Sequence, residues 1–348
     1  NKDNIMATTF KTLNSANDVT STRTLLHEAI PLTGTIASGT YTDNNIKTYS
    51  HGMFESVYDY PYLSSSANHI FDITTGYASN SALSSSTSIQ NSKKLNIYSQ
   101  MAQVLVGYDA TGSIQSFDQD GDIASGGTKI NEALFVNFSR LLTKDEMKKG
   151  SFSMKVHTAG TPAANTTAIT LADHNAADSY KVNSPAGEYG ILYTGSAAEA
   201  TASNGAGLIY YQAGVVVLTG SVFAASQMGP GIITGSGFNA VATGSTINIM
   251  ADSFRNRLDN ISFNNTVELN STVYFCRASH NEFNYSTNPT YLSESQIRVK
   301  NSSTDNPVSY VTTVGLYSSD NELLAVAKLS EPLKKDPTTE VTLRVRLD

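Results

Sequence analysis

Apolar residues recur at two different periods along this chain, and the change between them divides it. In Ile89–Val106, Leu95, Tyr98, Met101, Ala102 and Leu105 keep a three-to-four spacing, which is one stripe of a helix. Gly107 stands where a helix C-cap belongs. Asn131–Lys149 has the same period and predicts a helix with Leu134, Phe135, Phe138, Leu141 and Leu142 inward. Lys148 and Lys149 would complement the dipole in its last turn, with Gly150 just beyond. Thr246–Asn260 predicts a third helix from Ile247, Met250, Ala251, Phe254 and Leu258, with basic Arg255 and Arg257. Ser21–Ile30 predicts a short one, capped by Ser21 or Thr22 and stopped by Pro31.

After Gly150 the period becomes two. Ser151–His157 alternates Phe152, Met154 and Val156 with Ser and Lys, as a half-buried strand does. Gly187–Tyr193, Gly207–Tyr211 and Val215–Thr219 follow as strands, with a turn at Gln212–Gly214. Thr158–Thr167 and Thr194–Asn204 are small, polar and turn-rich, and predict exposed loops; Ser226–Ser245 is glycine-rich. The last stretch carries strands at short intervals: Val267–Leu269, Thr272–Arg277, Ser295–Lys300, Val308–Leu316, Glu322–Leu329 and Val341–Leu347. In the last of these Thr342, Arg344 and Arg346 face out against Val341, Leu343, Val345 and Leu347. Before the first long helix the text is irregular, with turn-rich Gly34–Tyr41, aromatic-dense Met53–Leu63 and Ser-rich Ser79–Ser88. The expected class is mainly β with a few helices (α+β), its C-terminal part an antiparallel sandwich or barrel. The expected division is 1–150, a mixed region with two helices, then 151–262, a β region with loop insertions and one helix, then 263–348, a β module that can be continuous with 151–262.

Composition sharpens this. The chain has 348 residues, enough for one large domain or two to three ordinary ones. Charged residues are 15%, against about 25% in an average domain. Ser (43) and Thr (38) fill the gap, so the surface is satisfied by hydroxyls and amides more than by ion pairs. The net charge of −7 lacks the basic surface that coating duplex nucleic acid requires. No run approaches about 18 consecutive apolar residues, so no membrane span is expected. Asn1–Asn17 has no basic, apolar and small-residue succession, so no signal peptide is expected. Seven Asn-x-Ser/Thr sequences occur, about the number chance gives, and lend glycosylation no support.

Candidate chemistry is thin. Cys276 is the single cysteine, which excludes a disulfide framework within one chain. It lies in the apolar run Val273–Cys276 and is expected buried and unpaired on a strand. The six histidines (27, 51, 69, 157, 174 and 280) lie at no zinc spacing. Asp118, Asp120 and Asp122 alternate as calcium-loop ligands do, but Ile123 and Lys129 stand where an EF-hand needs Gly and Glu. The expected reading is a turn without an ion. Gly229–Gly231 and Gly235–Gly237 read as turns, not phosphate loops. Phe283, Tyr285 and Tyr291 are open to two readings, a sugar or peptide platform or core aromatics of a rigid turn. The second is preferred: Phe283 and Tyr285 alternate with Asn284 and are expected to point into the C-terminal core, near Leu316, Leu323 and Val326. No catalytic, cofactor-binding or metal residues are expected.

The segments FNNTVELNSTVYFCRASHNEFNYSTNPTYL (263–292) and YVTTVGLYSSDNELLAVAKLSEPLKKDPTTEVTLRVRLD (310–348) resemble a block in virion structural proteins of large T4-like marine and cyanobacterial tailed bacteriophages. NIYSQMAQVLVG (96–107), NFSRLLTKDEMKKGSF (137–152), SPAGEYGILY (184–193) and Asn45–Thr74 are similar to the same family, while 158–182 and 195–245 look like variable insertions. The resemblance implies a non-enzymatic part of the tail, baseplate or neck, present in several copies and without cofactors. Its partners would be other virion proteins and copies of itself, with no direct nucleic acid. It would fold in the host cytoplasm and reside in the virion. The alternatives are a receptor- or carbohydrate-binding module for a host surface glycan, and a tail-associated polysaccharide or peptidoglycan hydrolase.

Overall fold

β-Branched and aromatic residues at period two dominate the ordered segments, and the chain is mainly β. The computed structural model describes residues 10–31, 43–85, 89–123, 126–157, 168–200, 204–223, 238, 242–243, 245–286, 288–294 and 296–348. In chain order the elements are β1 (Val19–Pro31), β2 (Ile46–Thr48), β3 (Glu55–Tyr58), β4 (His69–Tyr77), α1 (Ile89–Leu105), β5 (Phe117–Asp118), β6 (Lys129–Ile130), β7 (Glu132–Phe138), α2 (Arg140–Thr143), β8 (Glu146–Met147), β9 (Ser153–His157) and β10 (Ala168–Ala172). Then come α3 (Ala176–Ser179), β11 (Tyr189–Thr194), β12 (Gly205–Tyr210), β13 (Val215–Thr219), α4 (Ile247–Arg255), β14 (Leu258–Ala278), β15 (Leu292–Ser293), β16 (Gln296–Ile297), β17 (Ser309–Tyr317), β18 (Leu323–Lys335) and β19 (Val341–Leu347).

The chain forms two compact units, Leu25–Val267, and Asn1–Thr24 with Glu268–Asp348. The position near 150, expected as a boundary, falls inside the first unit. That unit is organised by one large sheet in the order β14-β9-β10-β11-β12-β13-β7-β4-β3-β2, and β8 also pairs with β14. Its central strands are buried on both faces. Along β7, Leu134, Val136 and Phe138 join one core cluster, while Ala133 and Phe135 join another. Helix α1 covers the second face with Ile97, Tyr98, Ala102 and Leu105. Each such aliphatic or aromatic side chain contributes about 1.5–3 kcal/mol by burial. The helix lies so close to β4 that a Cβ on Gly76 would stand 2.6 Å from the Lys94 carbonyl oxygen.

The two-faced burial explains one correction. Asn131–Lys149 is not a helix but β7, the single turn α2, and β8. Leu134 and Phe135 are both buried, as in an amphipathic helix, because each face of the strand has its own cover. Leu141, expected inward, is exposed. Lys149 does not sit on a helix end; it pairs with Glu188 at 2.5 Å and Glu146 at 3.6 Å. Gly150 is a turn residue at φ +74° after β8.

Ser21–Ile30 is likewise strand, not helix. Thr22 Oγ1 donates to the Ser271 carbonyl at 3.4 Å, and Asp18 O accepts from Phe275 N at 2.8 Å. Further along, His27 Nδ1 meets Thr266 Oγ1 at 3.1 Å. Partner numbers fall on β14 as they rise on β1, so the strands run antiparallel. Pairing with a segment so distant in sequence overrides the local preference. The third helix is shorter than expected. Thr246 Oγ1 caps α4 by accepting from Ile249 N at 3.3 Å, and the helix ends at Arg255. Leu258 begins β14, where it faces Val156 of β9. Val267–Leu269 and Thr272–Arg277 belong to that one strand, and of Ser295–Lys300 only β16 is strand.

Helix α1, β9 and β11–β13 fall where expected, as do β17–β19. Gly107 closes α1 at φ +88°, its N–H donating to Ala102 O at 2.9 Å. Thr158–Val182 is no simple insertion, because β10 lies inside it, paired with both β9 and β11, and Leu171 is buried. Region 195–245 likewise contains β12 and β13, both inner strands of the sheet. Gly34–Tyr41, Thr158–Thr167, Gly229–Gly231 and Gly235–Gly237 lie outside the described residues, and the described part of Thr194–Asn204 is exposed at Gly195–Ala198.

In the second unit β19 pairs antiparallel with β14 from Thr272↔Leu347 to Ala278↔Val341. β17 and β18 form a separate antiparallel hairpin. This unit contributes few residues to the buried apolar set, chiefly Val273, Leu316 and Val345. The unit also buries a lysine: Lys335 donates to Asn284 Oδ1 at 2.7 Å, Asp336 O at 3.0 Å and His280 O at 3.3 Å. That lysine reverses the expected direction of the 281–289 turn. Asn284 faces inward to accept from it, so the alternate residues Phe283 and Tyr285 point out and are 41% and 53% exposed. Leu323 and Val326 are exposed too, and only Leu316 is buried as expected.

Candidate functional site

The most concentrated group of chemistry-bearing side chains lies where the sheet ends, on β2, β3 and β4. Alternation sends Ile46, Val57, Phe71 and Ile73 into the interior, with the pairs Ile46↔Val57 and Val57↔Phe71 in register. The opposite face carries Lys47, Tyr49, Phe54, Ser56, Tyr58 and Asp72. It is the face that α1 covers further along β4, and Lys93 of α1 reaches its margin, donating to the His51 carbonyl at 2.7 Å. Tyr49 and His51 stack at 5.1 Å with an interplanar angle of 8°, and Phe54 leans on both rings at 5.0 and 5.1 Å. Lys47 Nζ stands 5.0 Å from the Tyr49 ring centroid. Tyr58 lies between His69 at 5.5 Å and Tyr62 at 6.4 Å. Burial, and then the Tyr49 phenol bonded to it, raise the Tyr58 hydroxyl above its usual range.

Ser56, Asp72 and His69 meet on this face, but not in a catalytic order. Ser56 Oγ donates to Asp72 Oδ1 at 2.5 Å, and His69 Nε2 bonds the same oxygen at 2.8 Å. Nucleophilic activation requires the imidazole between hydroxyl and carboxylate. Here the carboxylate is in the middle, and Ser56 is buried. The trio ties β3 to β4 and fixes the rings above it. The Met53–Leu63 stretch signals this place by its aromatic density, but no spacing rule foretells the Ser–Asp–His contact.

Asp118, Asp120 and Asp122 bring carboxylate oxygens within 4.8 Å of one another. The Lys129 ammonium ion-pairs with Asp118, so the residue at the failed twelfth position supplies a cation to the loop itself. Burial pushes the Asp118 carboxyl up, and its hydrogen bond to Asp120 pulls Asp120 down. Gly121 takes φ +73°, as an Asp/Gly turn requires.

The remaining titratable groups are dispersed. His27 bonds Thr266, His174 bonds the Gly195 carbonyl at 3.0 Å, and His280 faces Glu340 at 3.5 Å. His157 lies 3.6 Å from Asp259. Cys276 is a free thiol on β14, half-buried and not buried as expected; burial and then Asp18 raise it. Three buried charged residues carry no sequence signal. Asp173 accepts from Gly150 N (2.8 Å), Phe152 N (2.9 Å) and Tyr211 Oη (2.9 Å), and burial outweighs these bonds to push it up to about 6. Glu55 is pushed up to about 8 by burial and then by Asp252. Lys94 donates to the carbonyls of Ala242 and Ser245, and burial lowers it to about 8.

Phe283 and Tyr285 stand on the surface of the second unit, Phe283 at φ +54°. Among the described residues no helix is long and apolar enough to cross a membrane. No protein-family model, curated protein or solved structure matches this chain.

Proposed function

We propose that the protein is a non-enzymatic structural component of a phage virion, assembling in several copies in the tail, baseplate or neck. The observation that carries this reading is the β17–β18 hairpin. A two-stranded hairpin is marginal in water unless a face is covered. Here Val314, Leu316, Ala325, Ala327 and Leu329 are at least partly covered, whereas Tyr310, Tyr317, Leu323, Leu324 and Val326 are exposed. Tyr317 folds over Gly315, where a Cβ would meet its ring at 2.8 Å, and its ring packs edge-on against Phe10 at 4.8 Å. An apolar surface of this kind, next to a thin core, suits contact with another chain. The resemblance of 263–292 and 310–348 to virion proteins supports the particle as the place where that contact forms. The engaged, non-catalytic arrangement of Ser56, Asp72 and His69 agrees with a structural role.

Sedimentation of the purified chain tests the assembly. The expected result is a concentration-dependent oligomer that Leu324→Glu with Val326→Glu shifts to monomer. A monomer throughout the micromolar range, indifferent to those substitutions and unable to enter particles in an infected host, would overturn the reading.

The exposed Phe283 and Tyr285 favour the second reading, a receptor-binding module at the tail periphery. In that case Phe283→Ala leaves the melting temperature unchanged and abolishes host attachment.

A further inference from the structure

The open face of β2, β3 and β4 has a chemistry that the assembly reading does not use. From its geometry we propose that this face is a binding site for a neutral oligosaccharide. Two aromatic groups lie on it, Phe54–His51–Tyr49 and Tyr62–Tyr58–His69, joined where the Tyr49 and Tyr58 hydroxyls meet. Beside them Tyr60 is 58% exposed, Tyr62 37% and Leu63 85%.

Exposed rings need a reason when the backbone that holds them is fixed, and this loop is fixed. Asp59 accepts from both Asn68 N (2.6 Å) and Asn68 Nδ2 (2.8 Å). Asp59 N donates back to Asn68 O at 3.1 Å, and Tyr62 N donates to Asn44 O at 2.9 Å. Ser64 N closes a turn on Pro61 O at 2.8 Å. The tyrosines are therefore presented with little ordering entropy left to lose on binding.

The kind of ligand follows from the side chains. A pyranose has an apolar C–H face and a rim of hydroxyls. A tyrosine ring offers a flat, electron-rich face to the first and a phenolic hydroxyl to the second. The side chains around the rings are mostly polar, with Asn68 exposed and Asp59 partly so, and Leu63 is the exposed aliphatic among them. An anionic ligand is disfavoured. Lys47 stands 5.0 Å from the Tyr49 ring centroid and Lys93 donates to the His51 carbonyl at 2.7 Å, but the carboxylates of Asp59 and Asp72 lie among the rings and the whole chain carries −7.

The test uses the full chain and neutral hexasaccharides of glucose, galactose and N-acetylglucosamine. Calorimetry measures affinity, and saturation transfer from protein to sugar reports which protons touch the rings. The expected result is millimolar-range binding of at least one sugar, with saturation concentrated on the C–H protons of one pyranose face. Tyr60→Ala with Tyr62→Ala should weaken it roughly fivefold or more, and Tyr60→Ser alone should weaken it measurably. Tyr285→Ala, on the other unit, should leave it unchanged. Melting temperatures of all variants should match the parent, because these rings are exposed. Three results would overturn the proposal. They are no binding of any of these sugars at millimolar concentration, binding that survives both Tyr60 variants, and dissociation of an oligomer by the double substitution, which would make the face a contact between copies.

Discussion

Asp173 offers the sharpest test of how the larger unit is held. Its carboxylate accepts from two backbone amides, Gly150 and Phe152, and from the Tyr211 hydroxyl. It thereby fixes the β8–β9 turn against the start of α3 and the end of β12. Asp173→Ala leaves these donors without that acceptor. At about 1–3 kcal/mol for each buried unsatisfied group, the gross loss is about 3–9 kcal/mol. Removing a buried carboxylate gives some of this back. Its acid is pushed up to about 6 from 3.8, which corresponds to about 3 kcal/mol of disfavoured charge at neutral pH. A net loss of about 3 kcal/mol remains. In a unit of this size that lowers the melting temperature by about 6–12 °C. The pH dependence carries the second part of the prediction. A carboxyl raised in the folded state contributes stability that is full below its unfolded value and is lost as pH rises through about 6. The Asp173→Ala penalty should therefore be about 2 kcal/mol larger near pH 4.5 than at neutral pH. Calorimetric melting of parent, Asp173→Ala, Tyr211→Phe and the double variant gives both numbers and the coupling between the two side chains. A melting temperature within about 2 °C of the parent, or a penalty equal at both pH values, would refute the reasoning.

Two further outcomes are expected. Gly76→Ala should cost about 2–3 kcal/mol or more in denaturant unfolding, because its Cβ would lie 2.6 Å from Lys94 O and 2.8 Å from Tyr98 N, both backbone atoms of α1; a midpoint unchanged from the parent would mean that α1 does not lie on β4 in this way. Glu55 is raised to about 8 by burial and then by Asp252, so its contribution is full below about pH 4.5 and lost as pH rises through about 8. Glu55→Gln should flatten stability across that interval and make the protein more stable than the parent above it, as urea unfolding at several pH values would show.

The sequence alone determined those elements whose signal is local. α1 and its closing Gly107, the start of α4 at Thr246, and the alternating strands β9 and β19 each show one period or a clear end. The mainly β class follows from them. Tertiary structure decided the rest. Strand β7 is covered on both faces, so Leu134 and Phe135 are both buried and the alternation that marks a strand is erased. β1 takes its form from β14, far along the chain, and nothing within Ser21–Ile30 carries that information. The turn at 281–289 does alternate, but which side faces in is set by Lys335, which needs Asn284 as an acceptor. The candidate sites divide in the same way. The aromatic density of Met53–Leu63 and the failed calcium spacing at Asp118–Asp122 are visible in the text. The ring contacts among Tyr49, His51 and Phe54, the Lys129 ammonium on Asp118, and the buried Asp173 and Glu55 exist only once the sheet is assembled. A charged side chain is buried by partners that come from other strands, and composition does not register them.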